Sequence, residues 1–211
     1  MVRQATEKQI DELERSLAKA QIGLDEILEN STEVILFGSR AVGRGNAKSD
    51  WDILLVDARK GFEAMGIDFV TTSSENPVNW RNWLASELAH HVVAYGVWIK
   101  GDGHWTSELV TSPDVVTKKR SKLKVRLKSL IQAWNELSDL KRSKWQTLIR
   151  RDIQRLEKLK KHIAVPPTPI LDEEFSARCG YRGDFAAILE NDDERELSQL
   201  FLELRDLQTG V

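Results

Sequence analysis

The chain has few of the features that mark secreted and membrane proteins. Cys179 is the only cysteine among 211 residues. No disulfide can therefore form within the chain, and we expect a reducing, cytoplasmic setting. No apolar run approaches the roughly 20 residues that cross a membrane. The first residues show no apolar signal region. These absences exclude a disulfide-stabilised scaffold and predict no contact with a membrane.

The composition is typical of a globular chain. Hydrophobic residues make up 41 % of the sequence and charged residues 30 %, which is enough apolar material for a packed core. The length allows one full domain with a helical extension, or two small domains.

The net charge of −2 conceals a strong division along the chain. Residues 118–161 carry 16 basic and 4 acidic side chains, a net of +12, whereas residues 162–211 carry 4 and 11, a net of −7. The basic middle could attract a triphosphate or a nucleic acid. It could equally dock on the acidic tail or form a solvated helix face, and the sequence leaves these alternatives open.

Apolar patterning predicts an α/β (α+β) protein in two parts. Short apolar runs predict strands over residues 34–37, 51–56, 67–72 and 96–101. Helical spacing predicts helices over 5–29 and 77–95, followed by two long helices with a short antiparallel connection near Ser138. The last segment, over about 184–207, is predicted as one helix or as a pair broken at residues 191–193. We therefore expect a small mixed sheet flanked by helices in residues 1–112, followed by a helical bundle in residues 113–211.

The chemically informative stretch runs from Phe37 to Val56. A strand ends in Gly38-Ser39, and Asp50 and Asp52 follow at the start of the next strand. Residues two apart on a strand point to the same face, so these carboxylates need a cation between them, and oxygen ligands favour Mg²⁺. The glycine–serine turn offers backbone N–H groups and a hydroxyl that suit a phosphate. Asp68, inside the third apolar strand, is costly without a cation or another partner.

These elements together resemble the DNA polymerase beta-type nucleotidyltransferase superfamily. The similarity is to its small bacterial branch, which includes minimal nucleotidyltransferases and kanamycin- and streptomycin-type adenylyltransferases. The shared pattern is a strand, Gly38-Ser39, about ten residues, the Asp50-Trp51-Asp52 motif and a later Asp68. The motif match covers about residues 33–72, and a looser similarity reaches about residue 110.

The resemblance implies a magnesium-dependent transfer of a nucleoside monophosphate to a hydroxyl acceptor, with release of pyrophosphate. AMP is the expected monophosphate, because members of this branch commonly use ATP. Asp50, Asp52 and Asp68 would be the catalytic residues and would hold two Mg²⁺ ions, with Asp68 also helping to deprotonate the acceptor. Gly38 and Ser39 would hold the β- and γ-phosphates, assisted by Arg40. The spacing of 16 residues between Asp52 and Asp68 is short for this family.

Other residues allow two interpretations each. Arg44 and Lys48 lie in the loop facing the expected phosphate, where they would bind the nucleotide or remain solvated. His90 and His91 point in different directions on one helix, which favours structural roles. Arg155 and His162 have the arginine–six residues–histidine spacing of a helical RNase family, a pattern that also arises by chance.

The acceptor is open at this stage. It could be a small-molecule hydroxyl, a partner toxin protein that an antitoxin-like enzyme adenylylates, or an RNA 3′ end. A non-catalytic nucleotide-binding module is the alternative from a different class of function.

Overall fold

The computed structural model describes residues 2–110, 112–177 and 195–209. Within these ranges the chain is a mixed α/β protein with a four-stranded sheet and a helical C-terminal part. Cys179 and the first half of the predicted final helix lie outside the described residues. The predicted α/β fold class is confirmed. None of the described helices is long and apolar enough to span a lipid bilayer.

The first helical segment is two helices rather than the single one predicted over 5–29. Helix α1 spans Glu7–Lys19 and helix α2 spans Leu24–Asn30. Thr6 caps α1, because its hydroxyl accepts from the Gln9 amide and the Gln9 side chain accepts from the Thr6 amide. The break falls at Gln21, whose φ of 58° no helix accommodates.

Four strands form the sheet in the order β3-β2-β1-β4. Strand β1 spans Glu33–Phe37, β2 spans Trp51–Val56, β3 spans Ile67–Thr72 and β4 spans Val97–Lys100. Strand β1 pairs antiparallel with β2 and with β4, while β2 and β3 run parallel. A four-residue helix, α3 over Gly38–Ala41, follows β1 directly.

A second predicted helix, over 77–95, is also divided. Helix α4 spans Pro77–Leu84 and α5 spans Glu87–Tyr95. Between them Ser86 has extended backbone angles, and its hydroxyl accepts from the Ala89 amide, so it begins a new helix. A 3₁₀ helix, His104–Glu108, follows β4.

Apolar clusters cover both faces of the sheet. One joins α1 and α2 to alternate residues of the strands, including Trp51 and Ile53. The other joins α4, α5 and two buried tryptophans to the opposite face, through Ile35, Phe37 and Leu54. This alternation puts the side chains of the even-numbered residues of β2 on the α4/α5 face.

Among the described residues, the helical part contains α6 (Pro113–Ala133), a 3₁₀ helix (Trp134–Glu136), α7 (Asp139–Lys160), α8 (Thr168–Ala177) and α9 (Arg195–Thr209). Helices α6 and α7 share an apolar core with α9. Leu148 and Ile163 share the helical spacing of the apolar residues in this segment but are exposed. The sequence predicts no helix at α8, because Pro166, Pro167 and Pro169 are typical of a boundary, although only Pro169 lies within the helix.

Within the described residues the chain divides into two compact units. The first is residues up to Ser112 together with Ala164–Ile170, and the second is Pro113–Ile163 with residues from Leu171 onwards. The predicted division at 112/113 does not account for the return of 164–170 to the first unit. There Val165 is buried, and its carbonyl lies 2.7 Å from Nδ1 of His91.

The basic middle segment pairs with acidic residues of its own unit. Arg126 binds the buried carboxylate of Asp152, and Arg151 binds Asp172 at 2.6 Å. Further pairs with the acidic tail join Lys158 to Glu174, and Lys124 and Lys128 to Glu196. The sequence left open whether this segment binds a phosphate or nucleic acid, docks on the acidic tail or is solvated. The ion pairs with Asp172, Glu174 and Glu196 favour docking on the acidic tail.

Candidate functional site

Strand β2 directs Asp50 and Asp52 away from the α1/α2 core. Trp51, between them, is 3 % exposed and packs in that core. Because side chains alternate along a strand, Asp52 lies on the opposite face, and Asp50, just before the strand, shares that side. The sequence thus orients both carboxylates by burying the tryptophan between them.

Strand β3 brings Asp68 to the same level. The parallel register pairs Asp52 directly with Asp68, and the antiparallel register pairs Asp52 with Phe37 on its other side. Neighbouring strands lie about 4.8 Å apart, so Asp52 and Asp68 are adjacent on one face of the sheet. Asp68 on the edge strand and Asp50 are exposed, while Asp52 is half-buried.

The three carboxylates interact electrostatically. Burial, followed by the negative charges of Asp68 and Asp50, raises the pKa of Asp52 from 3.8 to about 6. Each cause disfavours the charged form, and a cation at this point would offset all three. An all-oxygen donor set from carboxylates is the chemistry that Mg²⁺ prefers. Asp50, Asp52 and Asp68 therefore supply the kind of ligand that the predicted ion takes. Their oxygens do not all lie within 4.8 Å of one another, so the carboxylates have to move closer together to share one ion.

Gly38 lies directly against Asp52. It has a φ of +73°, and a Cβ atom built on it would stand 2.0 Å from Oδ2 of Asp52. Only glycine allows the backbone to approach the carboxylate this closely. Ser39 follows in the short helix α3 and is half-buried. The Gly38–Ser39 turn is therefore in direct contact with the acidic group, by which we mean Asp50, Asp52 and Asp68.

Arg40 holds the loop that leads into β2. Its guanidinium donates to the Ser49 carbonyl at 2.7 and 3.1 Å and to the Asn46 carbonyl at 3.1 Å, and it stacks 4.4 Å from the Trp51 ring centre. These contacts turn Arg40 towards the loop and fix the residues before Asp50. Arg44 and Lys48 lie exposed in the same loop.

The histidines singled out in the sequence make packing contacts. Nε2 of His90 lies 3.1 Å from the Val110 carbonyl. The His91 ring packs edge-on against Phe37, with the ring centres 6.1 Å apart. Arg155 lies within α7 beside Asp152, whereas His162 follows the helix end with a φ of 54°.

One group of potential ligands went unnoticed in the sequence. Glu33, at the start of β1, faces Asp102 and His104 from the segment after β4, and their ligand atoms lie within 4.8 Å of one another. The available signal was the short stretch Gly101-Asp102-Gly103-His104. Its relation to Glu33 depends on the pairing of β1 with β4, which the sequence alone does not give.

Four tryptophans of the first unit form one packed cluster. Trp80, Trp83 and Trp98 surround Trp105, with ring centres 5.8 to 6.3 Å away. Trp98 and Trp105 both donate to Glu33, at the end of the sheet opposite Asp52. Packing explains these two rings, which are almost fully buried.

Comparison with known proteins adds no identification. No protein-family model matches the chain, and no curated protein matches it in sequence.

Proposed function

We propose that the chain is a nucleotidyltransferase that moves a nucleoside monophosphate from a nucleoside triphosphate to a hydroxyl acceptor and releases pyrophosphate. The observation that carries the proposal is the side-by-side placement of Asp52 and Asp68, with Asp50 beside them and Gly38 in contact with Asp52. The choice of AMP rests only on the resemblance described above.

In this proposal Asp50, Asp52 and Asp68 hold Mg²⁺, which neutralises charge on the triphosphate and on the entering and leaving oxygens. The backbone at Gly38 and the hydroxyl of Ser39 bind the terminal phosphates beside Asp52. Arg40 keeps the Asn46–Ser49 loop closed, so that Asp50 enters β2 at a fixed position.

The transfer is a single displacement. The acceptor oxygen forms a bond to the α-phosphorus while the bond from that phosphorus to the bridging oxygen breaks, and pyrophosphate leaves with the electron pair. The proton of the acceptor hydroxyl passes to a carboxylate, for which exposed Asp68 is the candidate. The exposure of Asp50 and Asp68 supports an acceptor that arrives from solvent.

The test uses the full chain with Mg²⁺ and each of four α-labelled nucleoside triphosphates, followed by mass spectrometry of the labelled species. Asp50→Asn and Asp52→Asn each keep the side-chain shape but remove a charge, and we expect both to abolish transfer. Asp11→Asn, on the exposed side of α1, is the matched control and should transfer normally. Full transfer by both site variants would refute the proposal.

The same experiment identifies the acceptor class. Label on a small molecule, on a co-purifying protein or on RNA distinguishes the three acceptors that the sequence leaves open. Binding of magnesium–triphosphate without any labelled product would favour the non-catalytic module.

A further inference from the structure

A second site lies at the other end of the same sheet face. A cavity of about 480 Å³ opens there, lined among others by Glu33, Asp102, His104 and Trp105. Glu33 pairs with Val56, four residues along β2 from Asp52, a separation of roughly 13 Å at 3.3 Å per residue. The cavity is therefore separate from the three aspartates.

Glu33 is a buried carboxylate whose basic neighbour is the imidazole of His104, 3.9 Å away. Its side chain is 7 % exposed. Oε2 accepts from the indole N–H groups of Trp98 and Trp105 at 2.8 and 3.0 Å, and Oε1 accepts from the Gly103 amide at 3.2 Å. No lysine or arginine among the described residues forms an ion pair with it. A buried charge of this kind gains most from a cation.

Two glycines bring further ligands to Glu33. Gly101 has a φ of +98°, and an added Cβ would meet Cγ of Glu33 at 2.5 Å; Gly103 has a φ of +64° and packs against Trp98. This tight loop directs Asp102 and His104 towards the carboxylate. Nδ1 of His104 lies 3.1 Å from Oδ1 of Asp102 and 3.9 Å from Oε1 of Glu33.

These separations are close to those of a metal site. With bonds of about 2.1 Å, neighbouring ligand atoms around a divalent ion lie roughly 3.0 to 3.4 Å apart. The His104–Asp102 separation already fits. The others exceed this range by at most about 1.4 Å, since all three ligand atoms lie within 4.8 Å of one another. The side chains that must move, Asp102 and His104, are 83 % and 78 % exposed. Glu33 stays fixed by the two indoles, as an outer shell fixes a metal ligand.

We propose that Glu33, Asp102 and His104 bind a divalent transition-metal ion, distinct from the magnesium site. An imidazole with two carboxylates suits Zn²⁺ or Co²⁺ and disfavours Mg²⁺, which takes oxygen ligands. Three protein ligands leave a coordination position that faces the cavity, where water or a small ligand can bind. The ion also places a positive charge beside buried Glu33, where His104 as a metal ligand is neutral.

The test is calorimetric titration of the tag-free full chain with Zn²⁺, and with Co²⁺ followed by its visible absorption. All proteins carry Cys179→Ser, which removes the one thiol. We expect His104→Ala and Asp102→Asn to weaken Zn²⁺ binding at least tenfold and to abolish the Co²⁺ spectrum. Both side chains are exposed, so neither change threatens folding.

Two variants serve as controls. Glu108→Gln removes an exposed neighbouring charge outside the group and should bind Zn²⁺ like the parent. Asp52→Asn should remove any Zn²⁺ that binds at the three aspartates and leave the binding that depends on His104 intact, because it alters only the opposite end of the sheet. Unchanged Zn²⁺ affinity in His104→Ala would overturn the proposal. So would an equal loss in Glu108→Gln, since a diffuse negative field would then explain the binding.

Discussion

At the scale of the residue, Asp52 bears the electrostatic cost of the acidic group. Its pKa is raised from 3.8 to about 6 by burial and by its two acidic neighbours, so the folded state disfavours the carboxylate. The cost is absent below about pH 4 and complete above about pH 6. A shift of two pKa units corresponds to about 3 kcal/mol of free energy of unfolding. Solvent screening of a half-buried carboxylate lowers this contribution to about 1–2 kcal/mol.

Asp52→Asn should therefore stabilise the metal-free protein at pH 7 by about 1–2 kcal/mol and leave its stability unchanged at pH 4. Urea unfolding in the presence of a chelator, at both pH values, measures the difference. Asp11→Asn should show no such pH dependence. An equal effect of Asp52→Asn at both pH values would contradict the assignment of the cost to ionised Asp52.

Alanine substitutions at Gly38 and Gly43 distinguish the effect of backbone strain from the effect of a steric clash with Asp52. Both have positive φ values, +73° and +69°, but a Cβ at Gly38 would strike Asp52, whereas one at Gly43 meets nothing within 4 Å. If the proposed transfer occurs, Gly38→Ala should slow it about 100-fold by displacing the carboxylate. Gly43→Ala should cost stability but little transfer. Labelled-product assays, corrected for the folded fraction, would reveal equal losses if the contact were unimportant.

The residues of the acidic group could be chosen from sequence because alternation and burial are local properties. Trp51 between two aspartates already implies opposite faces. The contacts of Arg40 could not be predicted, because they depend on how the loop after α3 folds back on Trp51. The Glu33 group needs both strand pairing and two positive-φ glycines, and neither can be read from spacing.

At the scale of the element, the strands were predictable and the helix breaks were not. Strands β2 and β3 have the predicted bounds, since each is a short apolar run between turn residues. The breaks at Gln21 and Ser86 interrupt helices without proline, and hydrophobic periodicity continues across them. Periodicity reports which face is apolar, whereas side-chain caps decide where a helix starts.

Two aspartates of helix α7 test how strongly burial of an ion pair changes the cost of losing one partner. Asp152 is 1 % exposed and pairs with Arg126, while Asp139 is 98 % exposed and pairs with Arg142 at 3.0 Å. Asp152→Asn leaves a partly buried arginine uncompensated and should cost about 3–5 kcal/mol. Asp139→Asn should cost less than about 1 kcal/mol. Denaturation followed by helical circular dichroism checks both, and similar costs would contradict the ranking.

At the scale of the whole molecule, the chain leaves the first unit at Ser112 and returns to it at Ala164. Sequence patterning could not predict this return, because it depends on packing between segments more than 70 residues apart, such as His91 and Val165. The proline-rich composition of 164–170 indicates only a boundary.

Substitutions at Val165 and Ile163 test whether the return of residues 164–170 stabilises the first unit. Val165 is 4 % exposed and Ile163 is 47 % exposed. Val165→Asp should destabilise the first unit by several kcal/mol, because it buries an unpaired charge. Ile163→Asp should have little effect. Hydrogen exchange of the β1 amides in the full chain reports on this unit, and equal protection in both variants would show that 164–170 does not stabilise it.

The parallel pairing of β2 with β3 also constrains how the gene can vary. Residues 57–66 connect the two strands, and a change in their number alters only the span of the connection. One residue inserted between Ile67 and Asp68 would instead turn the aspartate to the far side of the sheet. We therefore expect insertions and deletions in related chains to be confined to the connection and to spare the first two positions of β3.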